Sequence, residues 1–300
     1  MSDSKSSLPS PPSNISSLVY FGTPYAAVPQ LYALHEAGYS IPLVVTKVDA
    51  KRGRGSKLTP SPVKKAALDL GLRVSHDPKD VLGVQADMGV VIAYGAIIKA
   101  ELLETIPLVN IHFSLLPRWR GAAPVERAIM AGDSKTGICL MALDYDLDTG
   151  DIYKQQTVEI KDNESALALK SRLVDLSCDL LVDVLKSGFD NPTPQVGEPV
   201  YAKKIDKSEL KLDFSETAVQ CQRRIRIGKT WTMFRGKRLS ILKANALESS
   251  SGMPGAVING KVQTSNGSLE LLEVQPEGKQ AMSAGDWLRG YQIKPDETLG

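Results

Sequence analysis

The stretch LVYFGTPYAAVPQLYALHEAGYSIPLVVT, residues 18–46, decides the fold. Leu18 to Phe21 is a short apolar run closed by Gly22-Thr23-Pro24, which reads as a buried strand entering a turn. A helix is predicted from Tyr25 to Glu36, with Gly38 suited to its C-terminal end. Ile41 to Thr46 reads as a second strand. Strand, helix and strand in so short a span make a βαβ unit, which implies an α/β fold on a mostly parallel sheet with right-handed crossovers. Gly22-Thr23-Pro24 is not the GxGxxG dinucleotide fingerprint, so no nicotinamide cofactor is inferred.

The alternation continues downstream. Helices are predicted from Pro62 to Gly71, after Gly95 to Glu104, from Pro124 to Ala131 and, with a long amphipathic pattern, over 164–187. Strands are predicted at Arg73–Ser75, Met88–Tyr94, Leu108–Leu115 and Thr136–Ala142. Pro192, Pro194, Gly197 and Pro199 mark a linker. The expected organisation is a disordered Ser/Pro-rich leader at 1–16, a first domain at 17–190, a linker at 191–207 and a second domain at 208–300. In the last of these, a helix near Glu216–Arg226 precedes five short strands: Trp231–Phe234, Arg238–Ala244, Gly255–Ile258, Lys261–Thr264 and Leu269–Val274. Tight turns such as Asn259-Gly260 and Asn266-Gly267 separate them, the pattern of a small β-barrel of OB type.

Composition narrows the class of protein. Hydrophobic residues are 42% and charged residues 23% of the 300, as in ordinary globular chains, and no apolar run is long enough to span a bilayer. Cys139, Cys178 and Cys221 are far apart with no CxxC pair, so neither a disulfide framework nor a zinc site is expected, and a reducing cytoplasm fits. Residues 201–300 carry 16 Lys/Arg against 11 Asp/Glu, net +5, while residues 1–200 are at −3. A basic second half suits a polyanionic partner, and equally a solvated surface with scattered lysines. Residues 47–62, KVDAKRGRGSKLTPSP, form a long polar loop carrying Arg52, Arg54 and Lys57. Glycines between arginines would let such a loop wrap a phosphate backbone, the alternative being a solvated basic segment.

The chemistry concentrates in residues 108–124, LVNIHFSLLPRWRGAAP. On a strand, Asn110, His112 and Ser114 share one face and Ile111 and Phe113 the other. Polar groups side by side on an apolar strand are costly to bury without partners, and strand ends of open α/β sheets are where ligands sit. Leu143 to Asp151 then brings four carboxylates, Asp144, Asp146, Asp148 and Asp151. Their spacing lacks the EF-hand positions, so no metal is expected, and the Asp-Thr-Gly turn suggests one carboxylate held towards the histidine. Asn110, His112 and Asp148 supply what acyl transfer to an amine requires. An amide or protonated imidazole can stabilise an oxyanion, and a carboxylate can orient the imidazole or help take a proton. A Ser-His-Asp hydrolase using Ser114 is disfavoured, since no GxSxG elbow surrounds it.

Asn-x-His-x-Ser-Leu-Leu-Pro, then Arg-Trp-Arg-Gly-Ala-Ala-Pro, then Leu-Asp-Thr-Gly-Asp, resembles the folate-dependent formyltransferases. The opening Phe21-Gly22-Thr23-Pro24, the Gly-Arg-Gly loop with Ser61-Pro62-Val63-Lys64, and Lys279-Gln280-Ala281-Met282-Ser283 favour the branch whose acceptor is methionyl initiator tRNA. The resemblance implies a Rossmann-like catalytic domain with an OB-like tRNA-binding domain, and 10-formyltetrahydrofolate as formyl donor. It makes Asn110, His112 and Asp148 catalytic, places Ser114, Leu115, Leu116 and Pro117 against the folate, and Arg52, Arg54 and Lys57 against the tRNA. A monomeric cytoplasmic enzyme of translation initiation is expected. The chain departs from the family pattern at Phe113, usually a small residue, in a basic loop without its usual prolines, and in the approach Arg226-Ile227-Gly228-Lys229-Thr230-Trp231.

Overall fold

In the computed structural model, which describes residues 8–51, 58–294 and 297–300, the chain divides into two compact units. The first comprises the chain up to Gly121, Thr136–Val158 and Lys170–Tyr201; the second comprises Ala122–Lys135, Glu159–Leu169 and Ala202–Gly300.

The first unit is built on a seven-stranded sheet. Its spatial order is Ile152–Glu159, Lys135–Ala142, Leu108–His112, Met88–Ile92, Ser17–Gly22, Ser40–Val45 and Val74–Ser75. The strands from Val74–Ser75 to Leu108–His112 pair in parallel. Lys135–Ala142 then runs antiparallel to Leu108–His112. Leu18, Val19, Tyr20 and Phe21 are wholly buried, the burial on both faces that a continuous apolar run predicts for a parallel strand. From Ser17–Gly22 the chain winds first to one side and later, at Met88–Ile92, to the other. The strand order therefore reverses between Ser17–Gly22 and Met88–Ile92, one strand away from the strand that carries Asn110 and His112, and such a reversal is the usual place for a ligand crevice.

Several elements differ from expectation. The strand predicted to reach Leu115 ends at His112. Beyond it Ser114 Oγ donates to the Arg118 carbonyl at 2.6 Å and the Arg118 N–H to the Leu115 carbonyl at 3.1 Å, a turn that takes Ser114 off the face of Asn110 and His112. The helix predicted after Gly95 is confined to Ala100–Leu103. Gly95 has φ +73°, outside the helical range, and Ile97 is 90% exposed while its neighbour Ile98 packs on the cluster around Val19 and Phe21. Ile152–Glu159 was not predicted as a strand; it is a polar edge, buried only at Ile152. Residues 8–16 of the expected leader carry no helix or strand, yet Leu8 packs on the cluster around Val19 and Phe21.

The second unit carries an antiparallel sheet in the order Trp231–Phe234, Lys237–Leu247, Ser268–Pro276, Lys261–Gln263, Val257–Ile258, with Met282–Ser283 also on Ser268–Pro276. Its two edges are linked through residues 297–300. Leu299 N–H donates to the Gly255 carbonyl at 2.8 Å and Gly300 N–H to the Met233 carbonyl at 3.1 Å. The expected small barrel is thus a curled sheet whose edges meet a third segment rather than each other. A helix missed in the sequence, Ala284–Tyr291, fills it. Two glycines weaken its propensity, but Ser283 caps it and Trp287, with no exposed surface, packs edge-on to Phe234. The helix Pro124–Ala131 belongs to this unit and packs on Ala218–Ile227. Arg127 anchors it through a two-pronged ion pair with Glu209, at 2.6 and 2.9 Å.

Replacing Trp287 by Ala removes the largest buried side chain of this unit and is expected to cost about 3–5 kcal/mol. Urea denaturation followed by circular dichroism checks this, with the loss confined to the transition that reports the second unit.

Candidate active site

Asn110 and His112 lie two residues apart on the central strand and so face the same way. Asn110 pairs in register with Val91 on one side and Met141 on the other, and His112 with Cys139, so the backbone beneath both is held from its neighbours. Both side chains are buried. No hydrogen bond to another described residue occupies the Asn110 amide, which is unusual for a buried polar group and leaves its donors free for a ligand.

The imidazole is held from both sides. His112 Nε2 lies 2.8 Å from the Trp119 carbonyl oxygen. A carbonyl only accepts, so Nε2 carries a proton there and donates it. The other nitrogen, Nδ1, stands 3.5 Å from Asp148 Oδ2. Nδ1 is therefore the ring atom left to meet a ligand, and it faces the Asp148 carboxylate.

Asp148 reaches this position from a strained loop. Its φ is +53°, a left-handed conformation that Asp tolerates better than most residues. Oδ2 accepts the Gly121 N–H at 2.8 Å. Two residues on, Gly150 lies so close to the Ala142 carbonyl that a Cβ would collide with it, which is why the Asp-Thr-Gly turn ends in glycine. Of the other carboxylates in the acidic stretch, Asp144 accepts its neighbour's Tyr145 N–H at 2.7 Å.

A residue that sequence reading missed completes the frame. Gln195 Nε2 donates to the carbonyls of Asp148 at 2.9 Å and Gly150 at 2.8 Å. Its Oε1 accepts from Arg120 Nε at 3.0 Å and Nη2 at 2.6 Å. Gln195 lies in the Pro-rich segment read as a linker, where no periodicity or motif marks it. That segment is tied to the first unit also through Thr193, which exchanges two 2.9 Å backbone hydrogen bonds with Ile152.

The stretch Ser114–Pro117 follows His112 directly. Ser114 is fully buried with its hydroxyl spent on the Arg118 carbonyl, and Leu116 packs among Cys139, Met141 and Ile152. Leu115 lies against Gly137, leaving no room there for a Cβ. Arg52, Arg54 and Lys57 lie outside the described residues. The bases of their loop are pinned: Thr46 Oγ1 and Ser61 Oγ share a hydrogen bond of 2.7 Å, and Lys64 Nζ donates to Asp49 Oδ1 at 2.8 Å.

A cavity of about 400 Å³ opens beyond the ends of Ser40–Val45, Val74–Ser75 and Met88–Ile92, with Val48, Leu82 and Ile97 on its walls and Lys47, Lys79 and Lys99 around them. It does not include Asn110, His112 or Asp148. Among the described residues no group of three His, Cys, Asp or Glu side chains is set to hold a metal ion, and no helix is long and apolar enough to cross a membrane.

Comparison with known proteins places these residues in context. The family model described as Formyl transferase matches residues 16–185, and that of its C-terminal domain matches 204–292. Methionyl-tRNA formyltransferases of Thermus thermophilus and Roseobacter denitrificans are each 41% identical to this chain, over 94% of it and 99% and 98% of their own lengths. Among solved structures, an N-formyltransferase of Helicobacter canadensis in complex with folinic acid and dTDP-3-aminofucose superposes with a TM-score of 0.66, at 17% identity over 89% of this chain and all of its own. HypX of Aquifex aeolicus in complex with tetrahydrofolic acid gives 0.62 at 15% identity, over 95% of this chain and 51% of its own. At those identities the structural likeness is one of fold.

Cys139, paired in register with His112, has its thiol pushed up to about 11 by burial. A raised value keeps the thiol protonated at pH 8, so the unreactive form dominates. Native protein treated with a disulfide reagent at pH 8 is expected to leave Cys139 unmodified, and denatured protein to expose it, as peptide mass spectrometry would report.

Proposed function

The chain belongs to the formyl transferase family, and from that premise we propose that it transfers a formyl group from 10-formyltetrahydrofolate to the α-amine of methionyl initiator tRNA. The near-full-length identity to methionyl-tRNA formyltransferases supports this acceptor. The observation that carries the chemistry is the meeting of His112 and Asp148, 3.5 Å apart, beside the free amide of Asn110. In this reading the protein works in the cytoplasm at translation initiation.

The roles follow from the atoms. The amine nitrogen attacks the formyl carbon, a C–N bond forms, and the carbonyl oxygen gathers negative charge. Asn110 donates to that oxygen, and an imidazolium proton on His112 Nδ1 adds positive charge nearby. As the intermediate collapses, the bond from formyl carbon to folate N10 breaks. The amine loses one proton and N10 gains one. Asp148 takes the amine's proton, directly or through water, and steadies the imidazolium.

Substrate contacts are part of the same proposal. The Ser114 hydroxyl is spent on its own loop and Leu116 packs on the neighbouring strands, so this stretch meets folate through its backbone and through Leu115 and Pro117. A folate carries an apolar aromatic body ending in carboxylates, which suits a cavity with apolar walls and lysines around it. The second unit, with its excess of Lys/Arg, holds the tRNA through phosphates, together with Arg52, Arg54 and Lys57.

The direct test is incubation with methionyl-tRNA and 10-formyltetrahydrofolate, with formyl-methionine as the product sought. Offering sugar and ribonucleotide amines separately should yield no comparable product. Asn110→Ala, His112→Ala and Asp148→Ala are each expected to lower kcat about a hundredfold or more while tRNA binding, measured by filter retention, persists. Near-normal turnover in all three would overturn the assignment. Replacing Arg52, Arg54 and Lys57 together by Ala should weaken tRNA use and flatten the log–log salt dependence by roughly one per lost phosphate contact, with folate affinity unchanged.

A further inference from the structure

We propose that Gln195 is a positioning residue for Asp148, setting the carboxylate against His112 through the backbone of its loop. The inference rests on the reading above, in which Asp148 takes part in formyl transfer. It adds a residue that lies outside both family-model matches, between their ends at 185 and 204.

The amide of Gln195 is saturated. Its two N–H donors serve the carbonyls of Asp148 and Gly150, and its oxygen receives the two-pronged guanidinium of Arg120. The orientation of the amide is forced, because Arg120 only donates and the two carbonyls only accept. Arg120 immediately precedes Gly121, whose N–H holds Asp148 Oδ2. A closed ring results: carboxylate to Gly121, along the chain to Arg120, across to Gln195, and back to the Asp148 carbonyl.

Each part of that ring restrains Asp148. Its φ of +53° is a conformation most residues avoid, so something outside the residue must maintain it. The Gly121 N–H fixes the carboxylate end and Gln195 fixes the backbone end. Gly150 cannot relax inwards, since the Ala142 carbonyl is already in contact. Other side chains fit the position less well. Asn is one methylene too short to span Arg120 and the loop. Glu keeps the oxygen for Arg120 and loses both donors. Met keeps the length and loses every hydrogen bond.

The test uses the full chain with Gln195→Met and Gln195→Glu. Each is expected to lower kcat about tenfold to a hundredfold, the scale of a small misplacement of a reacting group, with KM for both substrates within about twofold of wild type. An effect combined with Asp148→Asn should add nothing to the loss from Asp148→Asn alone. Labelled imidazole NMR supplies a readout independent of activity, since the chain has only 3 histidines. The His112 ring signals should move in both Gln195 variants in the direction that Asp148→Asn moves them, with His35 and His76 unchanged. Ring signals of His112 that coincide with wild type, or kcat losses that multiply with Asp148→Asn, would overturn the proposal. Should Gln195→Met fold poorly, Gln195→Glu, which retains the Arg120 contact, decides. If the wild type transfers no formyl group, the functional reading fails alone, and the ring signals still decide whether Gln195 sets Asp148.

Discussion

One constraint organises the first unit: His112 has to keep its ring between a carbonyl and a carboxylate that arrive from different loops. The carbonyl belongs to Trp119, seven residues on, and the carboxylate to Asp148, beyond a further helix and strand. The strand must end at His112 for Trp119 to turn back onto the ring, and the Ser114–Arg118 hydrogen bond makes that turn. The same returning segment offers the Gly121 N–H to Asp148. Backbone geometry after the strand therefore sets both partners of the imidazole. Because Trp119 fixes the proton on Nε2, the electrostatic contact with Asp148 falls on Nδ1, and the ring has only one nitrogen left for chemistry.

The antiparallel neighbour serves the same end. A purely parallel sheet would need a long crossover before the chain could return beside Leu108–His112. Lys135–Ala142 instead pairs with it directly in the opposite sense, and the short turn that follows carries Asp148 back to the end where His112 lies. Gly150 and Gly137 are the places where this arrangement is tightest. One meets the Ala142 carbonyl, and the other meets Leu115 and the Gln156 carbonyl.

Much of this was legible in the residues. The apolar run Leu18–Phe21 declared a strand buried on both faces, and Pro124–Ala131 was readable from its proline start; Gly132, which ends it, adopts φ +79°. Asn110 and His112 were readable because polar groups on an apolar strand are costly unless used. Their partnership with Asp148 came from the motif and the Asp-Thr-Gly turn. What stayed hidden was held by tertiary contacts. Ile152–Glu159 has too few buried positions to show a period of two. Ala284–Tyr291 depends on Trp287 and a cap rather than on propensity. Gln195 is a polar residue among prolines, and nothing local distinguishes a side chain that spans two loops from one that faces water.

The second unit is not one continuous length of chain. Two early pieces, Ala122–Lys135 and Glu159–Leu169, belong with everything after Ala202. Arg226 donates to the carbonyls of Glu164 and Lys161, and Gln222 to Asn163, so the late helix needs the early segment as its seat. During synthesis those early pieces leave the ribosome well before their partners exist. Their exposed polar and apolar groups must wait through the making of the long helix Ala166–Ser187 and the Pro-rich segment. A peptide cut off at that segment would retain them with nothing to fold against, and the separated remainder would lack two of its own walls.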